Sequence, residues 1–123
     1  MGLDWNSGAL AEGLACYRRA EFFQTHEHWE VVWLTLDEPE KSFIQALIQM
    51  AAAFHHVQNG NIVGAVSLLR RAAKRIECCP EGFCGIAIES LQIEVGEALR
   101  SLEAVKPSCL TIFPQVRPID LSV

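Results

Sequence analysis

The chain has 123 residues, half of them hydrophobic and 20% charged, with a net charge of −5 at pH 7. That length supports one domain with a sizeable core, and the balance excludes a disordered polymer. The negative charge counts against nucleic acid as a partner, and the lack of any apolar run of about 18 residues counts against a membrane span. Asp4 and Asn6 stand near the N-terminus without a long apolar stretch, so no secretory signal is read there and a cytoplasmic protein is expected.

The pattern predicts helices throughout. The first covers residues 7–36, with a break or bend near Gly13 or in residues 18–21. Its second half reads Phe22-Phe23-Gln24-Thr25-His26-Glu27-His28-Trp29-Glu30-Val31-Val32-Trp33, with ionisable and aromatic residues interleaved. Helical residues advance by about 100° each. With His26 as origin, Phe22, Trp29, Glu30 and Trp33 fall within roughly 60° of it. His26 and Glu30 are therefore expected inside an apolar stripe, where a charged or polar group is costly unless paired or ligated. His28 is expected on the wet side.

Pro39 fits the first turn of a second helix over residues 40–58. Leu47, Met50, Ala51 and Phe54 cover one side of it, and Ile44 and Ile48 another. A helix apolar nearly all round is a central, buried one. Gln45, Gln49 and His56 nevertheless lie within about 40° of one another and form a polar line. A short turn makes helices one and two antiparallel neighbours, so this line is expected to face His26 and Glu30. Small Ala52 and Ala53 favour a close approach.

Gly60 is expected as a left-handed C-cap and Asn61 as the N-cap of a third helix over residues 62–77. That helix carries Arg70, Arg71, Lys74 and Arg75, read as a solvated face. Pro80 and Gly82 separate it from a fourth helix over residues 83–105. The expected architecture is a single all-α domain, residues 1–106, a compact antiparallel bundle of four to five helices. Residues 107–123 follow as an extended tail, packed on the bundle through Leu110, Ile112 and Phe113.

Cys16, Cys78, Cys79, Cys84 and Cys109 are odd in number and contain no Cys-x-x-Cys pair. Reduced thiols fit better than a disulfide framework, and the spacing is wrong for the usual zinc knuckles.

Three blocks carry a family resemblance: His26, Glu30 and Trp33 in the pattern H-x-x-x-E-x-x-W; residues 43–53, FIQALIQMAAA; and residues 60–65, GNIVGA. The chain resembles the bacterial and archaeal family called domain of unknown function 309. The resemblance implies a compact helical fold and a metal-binding role suggested for the hallmark; it brings no reaction or substrate. Thr25 stands where the family commonly has Ala.

Two chemical readings of the cluster stand. In the first, His26, Glu30, Gln45, Gln49, His56 and Trp33 form a structural network, because buried polar groups need partners. In the second, His26 and Glu30, four apart on one helical face, hold a divalent ion with Glu27 or His56 as a third ligand. Mixed nitrogen and oxygen donors suit zinc, manganese or iron. The paired Glu-x-x-His signature of di-iron bundles is absent. No phosphate loop, nucleophile elbow or dinucleotide fingerprint appears. The function classes left are a metal-binding helical protein, whether an enzyme or not, and a non-catalytic helical module acting through protein contacts. A homo-oligomer or a protein partner fits either.

Overall fold

Helices follow one another along the chain, and the residues between them explain where each stops. The computed structural model describes residues 3–104. The expected tail and Cys109 lie outside the described residues. The elements are α1 (Gly8–Arg18), α2 (Phe22–Trp33), α3 (Glu40–Gln58), α4 (Ile62–Ile76), a 3-10 turn (Phe83–Gly85) and α5 (Ile88–Ala104). Every element among the described residues is helical, as expected.

The predicted first helix is cut at residues 19–21, not at Gly13. Ala20 takes a left-handed φ of +59° there. The Glu21 N–H donates to the Cys16 carbonyl at 2.9 Å. From the end of α3, Gln58 Nε2 donates to the Ala20 carbonyl at 2.8 Å and fastens the turn.

α3 has the predicted bounds. Pro39 precedes its first residue, where a missing N–H costs nothing. Glu38 accepts from the Ser42 N–H at 2.6 Å, satisfying one orphan donor of the first turn. The Ser42 hydroxyl, which also donates to Glu38, and then the Ser42 N–H hold the Glu38 carboxyl below its ordinary range. At the other end Gly60 has φ +76°, and Asn61 Oδ1 accepts from the Gly64 N–H at 3.0 Å. Both caps are as the sequence predicts.

The predicted fourth helix starts late. Cys84 and Gly85 both have positive φ, 54° and 78°, so the chain cannot run helically through them. Glu81 instead caps α5, accepting from the Ile88 and Glu89 N–H groups at 3.2 and 2.9 Å. Trp5 Nε1 donates to the Cys84 carbonyl at 2.7 Å, tying the N-terminal segment to this turn.

Neighbouring helices run antiparallel. His28 of α2 meets Glu12 of α1, and Trp29 bonds to Leu10. Phe23 near the start of α2 meets His55 near the end of α3, while Trp33 meets Lys41. Gln92 of α5 bonds to Ile76 of α4, and Glu103 to Arg70. α3 is the central helix, packed against both α2 and α4. Phe43, Ile44, Leu47, Met50 and Phe54 are essentially inaccessible. Each contributes about 1.5–3 kcal/mol by leaving water. Ala53, Ala65 and Ala72, all fully buried, let α3 and α4 approach closely.

Candidate functional site

The buried stripe of α2 is Phe22, Thr25 and Trp29. Thr25 is the residue that sets its phase. Its hydroxyl donates to the Glu21 carbonyl one turn back, at 3.0 Å, so the side chain needs no other partner and is fully buried. Counting Thr25 with the apolar residues rotates the inward face by roughly 55° from His26. His26 and Glu30 are therefore not buried as expected. Their side chains are 33% and 54% exposed, and His26 Nε2 stands 3.8 Å from Glu30 Oε2. This is a loose pair at the rim of the bundle. His28 is not free in solvent either: it is 36% exposed, and its Nδ1 lies 3.3 Å from Glu12 Oε2.

The expected polar cluster does not close. His56 Nδ1 meets Asn61 Nδ2 at 3.1 Å, within the turn after α3. Gln49 is buried, but its Oε1 has no hydrogen-bond partner, and neither does the buried Nδ1 of His26. Gln45 is half-buried and Glu27 is exposed. Trp33 is half-buried, with Lys41 Nζ 4.4 Å above its ring. Among the described residues no group of three or more His, Cys, Asp or Glu side chains is placed to hold an ion. The set His26, Glu27, Glu30 and His56 is therefore not assembled as ligands.

The buried polar contact lies elsewhere. Tyr17 of α1 and Glu94 of α5 are both buried, and the Tyr17 hydroxyl points to Glu94 Oε1 at a long 3.5 Å. Tyr17 stacks on Trp29 and meets Phe22 and Phe54 edge to face or nearly so. Burial first, then the Glu94 charge and bond, push the phenol well above its ordinary value. Sequence reasoning missed Glu94. The signal was available: Leu91, Glu94, Val95, Ala98 and Leu102 share one stripe of α5, and the other four are apolar.

Residues 10–68 match the family model described as domain of unknown function, DUF309. The DUF309 segment thus spans α1 to α3 and the first part of α4, and it contains His26, Glu30, Gln45, Gln49 and His56. The resemblance carried by the sequence blocks is borne out over that stretch. An uncharacterized protein of Aquifex aeolicus (strain VF5) is 27% identical over 108 residues, 87% of this chain. The chain spans about a third of the length of that curated relative, 32%.

Cys16, Cys78, Cys79 and Cys84 are free thiols. Burial, helped by the Glu40 charge, pushes Cys84 up to about 12, so it is a thiol and not a ready nucleophile at neutral pH. On the outer side of α2, Phe23, Val31 and Leu34 are large hydrophobics about half or more exposed. Glu27 and Glu30 are exposed between them. Phe23, Glu27, Glu30 and Leu34 lie within about 60° on the helical wheel, with Val31 beside them. Among the described residues no helix is long and apolar enough to cross a membrane.

Proposed function

We propose that this chain is a non-catalytic helical module that docks a protein partner on the outer face of α2. The observation that carries this reading is the exposure of Phe23, Val31 and Leu34 beside Glu27 and Glu30. Exposed apolar residues grouped on one face mark contact sites more often than isolated ones do. The carboxylates select the partner's chemistry: an apolar segment flanked by Lys or Arg, steered by the overall charge of −5. The longer Aquifex relative supports a modular use, since the similar stretch makes up 32% of it.

The test compares wild-type chain with Val31→Lys/Leu34→Lys and with Val63→Lys on another face. Proteins retained from source lysate are identified, purified and measured again by calorimetry at rising salt. The reading expects a purified partner whose affinity falls at least about tenfold with the α2 variant, falls with salt, and ignores Val63→Lys. A purified partner that binds all three chains equally would overturn it.

A divalent-ion reading has one observation behind it. The Nδ1 atom of His26 is buried without a partner, next to the Glu30 carboxylate. Zinc, manganese or iron would find two donors there, His26 and Glu30. Glu27 is exposed, and His56 Nδ1 is engaged by Asn61. Elemental analysis of the wild-type chain and His26→Ala separates this reading from the first.

A further inference from the structure

α2 and α4 both pack on the central α3, and their outer faces carry opposite charge. α2 has Glu27 and Glu30 and no Lys or Arg; α4 has Arg70, Arg71, Lys74 and Arg75 and no Asp or Glu. Among the described residues Arg70 is held by Glu103 at 3.2 Å, and neither Arg71 nor Lys74 has an ion pair. The spacing of the two faces matches as well. Phe23, Glu27, Glu30 and Leu34 form one row on α2, and Val63, Ser67, Arg70 and Lys74 form one row on α4. Both rows advance by steps of four, three and four residues. Such steps hold a row within about 60° on a helix and extend it by about 16 Å. Every residue of both rows is exposed.

We propose that the outer face of α2 docks antiparallel on the outer face of α4 in a second copy of this chain. The inference rests on the docking role proposed for α2 and names its partner. Run antiparallel, the rows set Glu27 against Arg70, Leu34 on Val63 and Phe23 under Lys74, where a cation can lie over the ring. Glu30 falls opposite Ser67, one turn from Arg70 and Arg71. Val31 falls opposite Val66, which is half-buried beside Val63. A parallel pair would set Leu34 on Lys74 and Val31 on Arg71 instead. The pairing of opposite charges carries the inference, and the apolar contacts fix its direction. Within one chain α3 stands between the two faces, so each finds its counterpart in another copy. The contact is therefore head-to-tail, and association runs on to chains or rings. One helix laid on another buries less than a stable dimer needs, so the association is weak and salt-dependent. Val63→Lys leaves the α2 face of its own chain intact, because the valine that this face meets belongs to the other copy.

Sedimentation equilibrium of the full chain tests this. Between about 10 μM and about 1 mM, where small interfaces associate, the average mass should rise with concentration, and the rise should fade at high salt. Glu27→Lys/Glu30→Lys and Arg70→Glu/Lys74→Glu should each weaken association at least about tenfold. The chain with all four substitutions, its charges exchanged between the faces, should associate again. Thermal melts check that each variant folds. If the reversal at Arg70 impairs folding, Arg71→Glu/Lys74→Glu, which spares the bond to Glu103, takes its place. A wild-type chain that stays monomeric overturns this inference and leaves the α2 docking reading to its own test. Association lost in the α2 variant but kept in the α4 variant overturns it in favour of another surface as the seat of α2. Association kept in the α2 variant overturns it as well, and counts against α2 as a docking face. Failure of the exchanged chain to associate overturns the pairing of these charges.

Discussion

Trp29 fills the space that a side chain on Gly13 would need. A Cβ at Gly13 would lie 2.4 Å from Trp29 Nε1 and 2.5 Å from its Cδ1. The indole is fully buried, bonds to the Leu10 carbonyl at 3.3 Å, and is wedged between Trp5 and Tyr17. It cannot swing away. Glycine in a helix interior costs about 1 kcal/mol against alanine. Here that cost lets α1 lie directly on the indole face.

Gly13→Ala therefore sets helix propensity against packing. Propensity alone would stabilise by up to about 1 kcal/mol. The clash with a locked indole costs about 1–3 kcal/mol, as overpacked cores do. We expect a net loss in urea melts, and a smaller loss when the substitution is made in a Trp29→Leu background. Coupling between the two sites in that cycle is the diagnostic quantity. A net gain for Gly13→Ala alone would mean that the indole yields.

The histidines of α2 give the second prediction. His26 and His28 are about equally exposed, and each faces one carboxylate. His26→Ala and His28→Ala should each change stability by no more than about 1 kcal/mol, the range of exposed pairs, with little difference between them. A loss of about 3 kcal/mol at His26 alone would restore the buried cluster read from sequence. The spacing of Phe22, Trp29 and Trp33 located the stripe of α2 correctly to within about one residue's rotation. It missed the phase because Thr25 counts as polar by composition, although its hydroxyl is spent on its own helix. No periodicity rule sees that bond.

The turn between α3 and α4 was legible because its chemistry is local. Gly60 and Asn61 act within a few residues of themselves, and α3 has the bounds read from Pro39 and Gly60. Glu94 was harder, because its partner Tyr17 is 77 residues away in sequence. Asn61→Ala should cost about 1 kcal/mol, the usual loss for an N-cap. It also removes the contact with His56 Nδ1. Asn61→Ser, which keeps a capping oxygen, should recover most of the loss in thermal melts. Equal losses for Ala and Ser would assign the effect to His56 instead.

Metal content is a second test of the rim of α2. With no three donors gathered among the described residues, chelation should leave the melting temperature unchanged, and purified chain should carry zinc, manganese or iron well below one per molecule. A ligand bound only to the folded state would raise stability and lose that gain in chelator. Stoichiometric metal that disappears in His26→Ala would reverse the ranking of the two readings.

Alkaline pH should expose the Tyr17–Glu94 contact. The phenol is neutral below its pKa and charged above it. In the folded chain that pKa is raised above the ordinary 10.0, by burial first and then by the Glu94 charge. The unfolded chain releases the proton near the ordinary value, so above it the folded state holds more protons. Stability linked to Tyr17 is then complete below about pH 10 and falls as pH rises through the raised value. Cys84 acts with the same sign, from an ordinary 9.0 up to about 12. Urea midpoints from about pH 8 to about pH 11 should therefore decline in the wild-type chain. Tyr17→Phe should lose about 0.5–1 kcal/mol at neutral pH, the worth of a long hydrogen bond, and decline less steeply above about pH 10. Cys84→Ala should lessen the decline from near pH 9 upward, a share to which the raised Cys16 and Cys79 thiols also contribute, and leave the Tyr17 share that begins near pH 10. A Tyr17→Phe profile parallel to wild type above pH 10 would mean that the phenol already ionises at its ordinary value inside the fold.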